Sequence, residues 1–324
     1  MVGLAAATLG DVERARGEKY ERLIGRTKEI PAIKTVVVHP CDETSLEGAT
    51  DAAEADIISP VLVGPQARIA ALAEQMEIDI SRYEIVDAPH SHGAAEISVR
   101  LIREGKGELL MKGSLHTDEL MQQVTRREKG LRTERRISHV FIMDVASYPK
   151  PLFITDAAIN IFPDLEDKQD IIQNAVDLAR ALGLERPLVA ILSAVETVTP
   201  KIPSTIEAAA LCKMAERGQI TDALVDGPLA LDNAISMEAA KIKGIESPVA
   251  GQADILVVPD LEAGNMLAKN LSFLAGADAA GIVLGARVPI ILTSRADSLR
   301  TRMVSCAVAA LFAEARRRGK AVEG

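Results

Sequence analysis

Residues 60–87 read PVLVGPQARIAALAEQMEIDISRYEIVD and contain a complete strand–helix–strand pattern. The run 60–64 is short and apolar, which is typical of a buried strand. The segment 66–75 then carries its apolar side chains at helical spacing, and residues 83–87 form a second short strand. Two strands joined by a helix in this way predict a βαβ unit with parallel strands.

The same alternation continues along most of the chain. Further strands are predicted at 35–38, 109–112, 140–145, 152–156, 188–192, 223–226, 254–258, 281–284 and 290–293. Further helices are predicted at 11–26, 93–104, 168–182, 204–217, 231–243, 262–275 and 297–317. The fold class is therefore α/β, with mostly parallel sheets flanked by helices.

So many strands predict two domains with an active-site cleft between them. A Pro-containing joint at 148–151 suggests a first domain of residues 1–148 plus 289–324 and an inserted second domain of residues 149–288. The helix predicted at 11–26 is highly charged, and the sequence does not indicate what it packs against.

The composition is that of a globular protein, with 48% apolar and 26% charged residues among 324. A net charge of −9 argues against non-specific binding of nucleic acid. Cys41, Cys212 and Cys306 are widely spaced and suggest neither a zinc site nor a disulfide framework. With no export signal or apolar run of membrane-spanning length, we expect a cytoplasmic protein.

Polar residues follow two of the predicted strands in patterns that suit an anion. Lys112, Gly113, Ser114 and Thr117 follow one strand, where backbone N–H groups and hydroxyls can hold a phosphate. An ordinary loop with Thr117 as the helix N-cap explains the same residues. The segment 293–298 follows another strand, and its Arg295 is a cation where a helix dipole disfavours one.

Other patterns carry less information. Ser294 and Asp297 also resemble a capping box, which needs no ligand. The segments 258–265 and 225–233 each place a carboxylate and a glycine at a strand end, which turn chemistry alone explains. Dinucleotide and Walker-type glycine motifs are absent from the sequence. His90 and His92 suit a polar loop better than a metal site, and we expect His39 to be structural.

Taken together, several motifs resemble the phosphate acetyl/butyryltransferase family. They are 110–113 with Thr117, GLRT at 130–133, SHV at 138–140, ITDAAIN at 154–160, DGPLALDNAIS at 226–236, 253–265 and 289–298. The resemblance covers about residues 35–315. The chain is similar to the acyltransferase part of bifunctional proteins in which an enoyl-CoA hydratase domain comes first.

The resemblance implies a homodimer that catalyses acyl-CoA + phosphate ⇌ acyl phosphate + CoA, without a metal or organic cofactor. It places Ser294 and Arg295 at the reacting phosphate, and Gly113, Ser114 and Thr117 in a phosphate-side loop. The residues expected to bind phosphate or CoA also include Lys112, Arg132, Asp260 and Asn265.

One position departs from the family pattern. The acetyl-specific branch carries an acid seven residues after the catalytic Ser, and this chain has Thr301 there. Asp297 is the candidate base in its place, although its spacing from Ser294 favours a role as a helix cap. CoA's own acidity is a further alternative, since a thiol is partly ionised at neutral pH.

Two other functions are compatible with a bilobal α/β fold. A metal-dependent NAD(P) decarboxylating dehydrogenase has a similar organisation, but the missing dinucleotide motif disfavours it. A non-catalytic partner of an enoyl-CoA hydratase is the remaining alternative.

Overall fold

The structure is a computed structural model, and it describes residues 17–292 and 298–319. The described chain forms two compact units. The 139–279 unit comprises His139–Arg180, Leu184–Ala279 and the described residues up to Arg22. The 23–138 unit comprises Leu23–Ser138, Ala181–Gly183 and the described residues from Ala280.

These units divide the chain at Ser138 and Ala279, somewhat before the predicted domain limits at residues 148 and 288. The reason is strand pairing, because Ser138–Asp144 is hydrogen-bonded to Leu152–Thr155 and groups with it. The predicted domain limits at residues 148 and 288 stay a prediction.

Each predicted strand has a counterpart in the structure, although Thr293 of the last one lies outside the described residues. The strands are β1 (Ile33–Val38), β2 (Ile58–Gly64), β3 (Glu84–Asp87), β4 (Leu109–Lys112), β5 (Ser138–Asp144), β6 (Leu152–Thr155), β7 (Leu188–Leu192), β8 (Leu224–Leu229), β9 (Ile255–Val257), β10 (Asp278–Leu284) and β11 (Ile290–Ile291).

The helices include one, at residues 43–54, that the sequence patterns had not indicated. They are α1 (Glu18–Thr27), α2 (Glu43–Glu54), α3 (Gln66–Gln75), α4 (Ser91–Arg103), α5 (Thr117–Val124), α6 (Leu165–Ala181), α7 (Pro203–Glu216), α8 (Leu231–Ile235), α9 (Met237–Ile242), α10 (Leu261–Leu274) and α11 (Leu299–Arg317). Over the described residues, none of these helices is both long and apolar enough to span a lipid bilayer.

The sheet of the 23–138 unit has the strand order β3-β2-β1-β4-β11-β10. Neighbours from β3 to β11 are parallel, and β10 is antiparallel to β11. Val36, Val37, Leu110 and Met111 are fully buried on adjacent strands, as expected for a sheet covered on both faces. The carboxyl ends of β1, β4 and β11 therefore lie side by side at one edge of this sheet.

In the 139–279 unit the strand order is β5-β6-β9-β7-β8. The β5–β6 pair is antiparallel, and the other pairs are parallel. A core of small and aliphatic side chains, including Ile154, Ala190 and Leu256, fills this unit. The predicted α/β class with mostly parallel sheets is confirmed in both units.

Helix α1 corresponds to the charged helix whose partner the sequence did not reveal. The Lys19 ammonium group donates to the Asp144 carboxylate at 2.8 Å and to the Val145 carbonyl at 2.7 Å. The Tyr20 hydroxyl donates to the Ile142 carbonyl at 2.5 Å. Because a buried charge needs a partner, this ion pair anchors the start of α1 to the end of β5.

The single helix predicted at 231–243 is two helices, α8 and α9. Ser236 ends the first and begins the second, and its hydroxyl accepts a hydrogen bond from the amide of Ala239 at 3.2 Å. Serine interrupts a helix readily because its side chain competes for backbone donors. The apolar residues keep helical spacing across Ser236, so the sequence pattern predicted one continuous helix.

Gly113 directly follows β4 and touches the end of β1. Its amide donates to the Val38 carbonyl at 2.9 Å. A Cβ atom at this position would lie 2.3 Å from the Val38 oxygen and 2.6 Å from the His39 oxygen. The two chain segments can approach this closely only because residue 113 has no side chain. The contact between strands, independently of any ligand, therefore requires glycine.

We expect Gly113→Ala to lower the free energy of unfolding by about 1–3 kcal/mol, since the added methyl group must push the two strand ends apart. Urea denaturation followed by circular dichroism measures the change. Gly25→Ala is the matched control, because Gly25 is an exposed residue of α1 and an added Cβ meets nothing within 4 Å. A Gly113→Ala protein as stable as the wild type would contradict this account of the contact.

Candidate active site

The candidate site begins at the edge where β1, β4 and β11 end. In parallel sheets, ligands bind beyond the carboxyl ends of the strands. Lys112 ends β4, and the residues up to Thr117 form a short loop before α5. The structure thus brings four predicted phosphate-side residues, Lys112, Gly113, Ser114 and Thr117, together in one segment.

Ser114 connects this loop to the end of β1. Its amide donates to the His39 carbonyl at 2.9 Å, and its hydroxyl donates to the same oxygen at 2.8 Å. The His39 Nδ1 atom lies 2.9 Å from the Ser114 Oγ atom. Three contacts between two residues hold the loop firmly against the end of β1.

Lys112 and Thr117 have local roles in the loop and at the start of α5. The Lys112 ammonium group donates to the carbonyls of Gly113 and Leu115, each at 3.2 Å. Thr117 is the first residue of α5, and the N-cap position belongs to His116, so the prediction that Thr117 is the N-cap was wrong. The first turn of α5 also carries Asp118 and Glu119, whose charges oppose an anion at the helix N-terminus.

Two arginines that the sequence patterns did not single out lie near the same edge. Arg68, in the first turn of α3, donates to the Cys41 carbonyl at 3.1 Å. Arg302, in the first turn of α11, is almost buried and forms an ion pair with Glu47 at 3.2 Å. The helix dipole disfavours a cation in the first turn of a helix. A search of every strand–helix junction for such cations would have identified Arg68 and Arg302 from the sequence.

The predicted catalytic residues Ser294, Arg295 and Asp297 lie outside the described residues. The helix that follows them, α11, begins at Leu299, and its N-cap is Ser298, whose hydroxyl accepts from the Thr301 amide at 3.1 Å. The described part of α11 thus has its own cap. Thr301 is buried within this first turn.

Arg132 lies at the other edge of the same sheet. It forms an isolated antiparallel bridge with Ala286, in the connection between β10 and β11. Thr133 reinforces this contact by donating to the Gly285 carbonyl at 2.7 Å. Because β11 pairs with β4 from Leu110 onwards, this connection lies at the amino end of β4. The structure therefore does not bring Arg132 together with the 112–117 loop.

Asp260 and Asn265 belong to the 139–279 unit, at the start of α10. The Asp260 carboxylate caps the helix by accepting from the Ala263 amide at 2.8 Å. The Asn265 amide donates to the Ala157 carbonyl at 3.3 Å, beside a glycine at 264 that lets the helix approach Ala157. Each side chain has a contact that shapes this unit, and their predicted role in substrate binding stays a prediction.

The ITDAAIN segment forms a loop around one carboxylate. Asp156 accepts hydrogen bonds from the amides of Ala158, Ile159 and Asn160 at 2.9, 3.0 and 3.2 Å. His139 is fully buried in the same unit, and burial lowers the pKa of its imidazole to about 4 although the Asp156 charge opposes the shift. His139 is therefore neutral at physiological pH. The hydrogen bonds to Asp156 give the 154–160 segment a role in local structure.

Comparisons with known proteins agree with one another. The family model described as "Phosphate acetyl/butaryl transferase" matches residues 91–310. A phosphate acetyltransferase of Rhizobium meliloti is 70% identical over 304 residues, which cover 94% of this chain and 96% of that protein. A phosphate butyryltransferase of Clostridium beijerinckii is 42% identical over 296 residues, covering 91% and 98% of the two chains.

A solved structure extends this likeness to the fold. The crystal structure of a branched-chain phosphotransacylase from Enterococcus faecalis has a TM-score of 0.75 and 29% sequence identity, and the match covers 87% of this chain and 99% of that one. These likenesses favour neither the dehydrogenase nor the non-catalytic alternative. The chain is an acyltransferase and belongs to the phosphate acetyl/butyryltransferase family.

Proposed function

We propose that this protein transfers an acetyl group between coenzyme A and inorganic phosphate. The observation that carries the proposal is the 70% identity to a phosphate acetyltransferase over 94% of the chain. The identity to a phosphate butyryltransferase is lower, at 42%. A longer acyl group is therefore the poorer substrate.

The proposed reaction is a direct transfer within a ternary complex. The CoA thiolate attacks the carbonyl carbon of acetyl phosphate, the S–C bond forms and the C–O bond to phosphate breaks. Holding the two substrates in contact supplies much of the rate. Donors fixed before the reaction stabilise the oxyanion and the departing phosphate, and we assign this role to Ser294, Arg295 and the 113–117 loop.

Local cations allow an acidic protein to bind these anions. The net charge is −9, yet Lys112, Arg68 and Arg302 lie near the carboxyl ends of the strands in the 23–138 unit. Arg132 lies at the opposite edge of the sheet, roughly the length of β4 away, or about 13 Å. We assign Arg132 to CoA rather than to the reacting phosphate.

We propose further that the reaction needs neither a metal ion nor an organic cofactor. Both substrates already carry the reacting groups, a thiol and an activated acyl phosphate. Fixed donors of the protein can stabilise the negative charge that develops. We also propose a cytoplasmic location, since Cys41, Cys212 and Cys306 are all free thiols, as expected of a protein in a reducing compartment.

With EDTA present and no nucleotide added, we expect rapid CoA-dependent consumption of acetyl phosphate. The value of kcat/KM for butyryl phosphate should be at least about 30-fold lower, because two extra methylene groups in a pocket shaped for acetyl cost roughly 1–3 kcal/mol each. Thioester formation at 232 nm measures both rates. Turnover that stops in EDTA and returns with a divalent ion would refute the cofactor-free reaction, and a preference for butyryl would refute the substrate assignment.

Arg295→Lys tests the proposed phosphate contact. If the guanidinium group binds phosphate through two parallel hydrogen bonds, lysine cannot replace it despite its equal charge. We expect kcat to fall by about 10²-fold or more. Arg217→Lys, at the exposed end of α7, is the matched control and should leave kcat unchanged. A folded Arg295→Lys protein with wild-type kinetics would contradict the assignment of Arg295 to the phosphate site.

We also propose that the protein is a homodimer that pairs through the outer face of α10. Met266 and Phe273, seven residues apart on this helix, are 60% and 84% exposed. Ile161 and Phe162, next to the start of α10, are 62% and 76% exposed. Exposed apolar side chains grouped in this way mark an interaction surface, and a second copy of the chain is the occupant we assign to it.

The double substitution Met266→Glu with Phe273→Glu should convert the dimer to a monomer, because burying unpaired carboxylates at an interface is costly. Light scattering after size-exclusion chromatography measures the mass. Ile242→Glu is the control, since Ile242 is equally exposed, at 78%, but lies on α9. A wild-type protein that is monomeric, or a double variant that remains dimeric, would contradict the assigned surface.

A further inference from the structure

His39 is held in one tautomer by its contacts with Ser114. The Ser114 hydroxyl has a single proton, and it donates this proton to the His39 carbonyl oxygen, which can only accept. The second contact, between Ser114 Oγ and His39 Nδ1 at 2.9 Å, then requires Nδ1 to carry a proton and donate it. When the imidazole is neutral, its lone pair must therefore be on Nε2. Among the residues that the structure describes, none forms a hydrogen bond with Nε2.

Hydrogen bonds also hold the main chain of His39 in place. His39 is only 8% exposed and has φ of +54°, a conformation that is uncommon for residues other than glycine. Its amide donates to the Val63 carbonyl at 2.7 Å, and its carbonyl accepts from Ser114. A rare backbone conformation held by this many hydrogen bonds is often found at a functional site.

The charges around His39 favour a neutral ring that can accept a proton. Burial, followed by the positive charge of Arg68 on α3, lowers the pKa of His39 below its ordinary value. Glu119 on α5 and Asp42 before α2 act in the opposite direction. Glu119 itself lies 3.6 Å from His92 on α4. Since the folded-state pKa is below about 6.5, Nε2 is unprotonated at neutral pH.

The position of His39 suits a role in the reaction. It follows β1, and β1 lies beside β4, whose loop carries Ser114. On the other side of β4 is β11. Adjacent strands are about 4.8 Å apart, so the ends of β1 and β11 are roughly 10 Å apart. A substrate bound over the end of β4 would be within reach of the His39 ring.

The reaction itself requires one proton to move. Acetyl phosphate is a dianion and the reacting thiol group of CoA is neutral, while the reaction produces a neutral thioester group and hydrogen phosphate. The thiol therefore loses a proton, and the departing phosphate oxygen gains one. A base near both groups can carry out both transfers, and Thr301 cannot serve as that base.

We propose that His39 is the proton carrier of this transfer, an inference that rests on the proposed function. Its Nε2 takes the proton from the CoA thiol as the S–C bond forms. It returns that proton to the phosphate oxygen as the C–O bond breaks, so the imidazole is neutral before and after each turnover. Ser114 is the positioning residue that keeps the lone pair on Nε2.

His39→Asn is the decisive variant. Asparagine tolerates a positive φ, and its amide nitrogen can replace Nδ1 as the donor to Ser114, but it has no group equivalent to Nε2. We expect kcat with acetyl phosphate and CoA to fall by about 10²–10⁴-fold with little change in KM or melting temperature. The rise of kcat with pH through the His39 pKa should disappear, and added imidazole should restore part of the rate.

His90→Asn is the matched control. His90 is exposed and caps α4 through its ring, and asparagine preserves a cap, so kcat and its pH profile should not change. Asp297→Asn should retain the rise of kcat with pH if His39 is the base.

Several outcomes would overturn the proposal. One is a His39→Asn protein whose kcat is within about threefold of the wild type. Another is a variant whose kcat and melting temperature fall together while its pH profile is unchanged, which would indicate a structural role. A third is loss of the pH dependence in Asp297→Asn instead. A wild-type protein without acyl transfer would refute the proposed function, and this inference with it.

Discussion

The close contact between the ends of β1 and β4 is the constraint on which the candidate site depends. The Val38 and His39 carbonyl oxygens lie where any side chain at residue 113 would be, and Ser114 then closes three contacts onto His39. Parallel strands supply the geometry, since their carboxyl ends meet at one edge of the sheet. The contact fixes both the path of the 113–117 loop and the orientation of the His39 ring, so one packing requirement positions two parts of the proposed chemistry.

Charge near this edge is balanced rather than simply positive. Arg68, Arg302 and Lys112 offset the carboxylates of Glu47, Asp42 and Glu119, and each of these cations is held by a carbonyl or a carboxylate. Burial and the charge of Arg68 outweigh the nearby acids and lower the pKa of His39, so its imidazole is neutral at neutral pH.

Much of the fold could be predicted from the sequence, because short apolar runs alternating with helical spacing determine strands and helices locally. The break at Ser236 and the partner of α1 could not, since a side-chain cap and a buried Lys19–Asp144 ion pair leave no periodic pattern. The 112–117 segment was found because strand ends are known ligand positions. The sequence predicted only a structural role for His39. The contact between His39 and Ser114 depends on the pairing of β1 with β4, which the sequence does not reveal. Likewise, Arg132 could be placed at the opposite edge only after the β10–β11 connection was seen.

A crystal structure of the protein with CoA and inorganic phosphate tests the central claim most directly. The account predicts that phosphate lies beyond the carboxyl ends of β1, β4 and β11, within hydrogen-bonding distance of the 113–117 loop. It also predicts that the CoA sulfur and a phosphate oxygen both lie within reach of His39 Nε2. Phosphate bound at the opposite edge of the sheet, beside Arg132, with His39 contacting neither substrate, would contradict it.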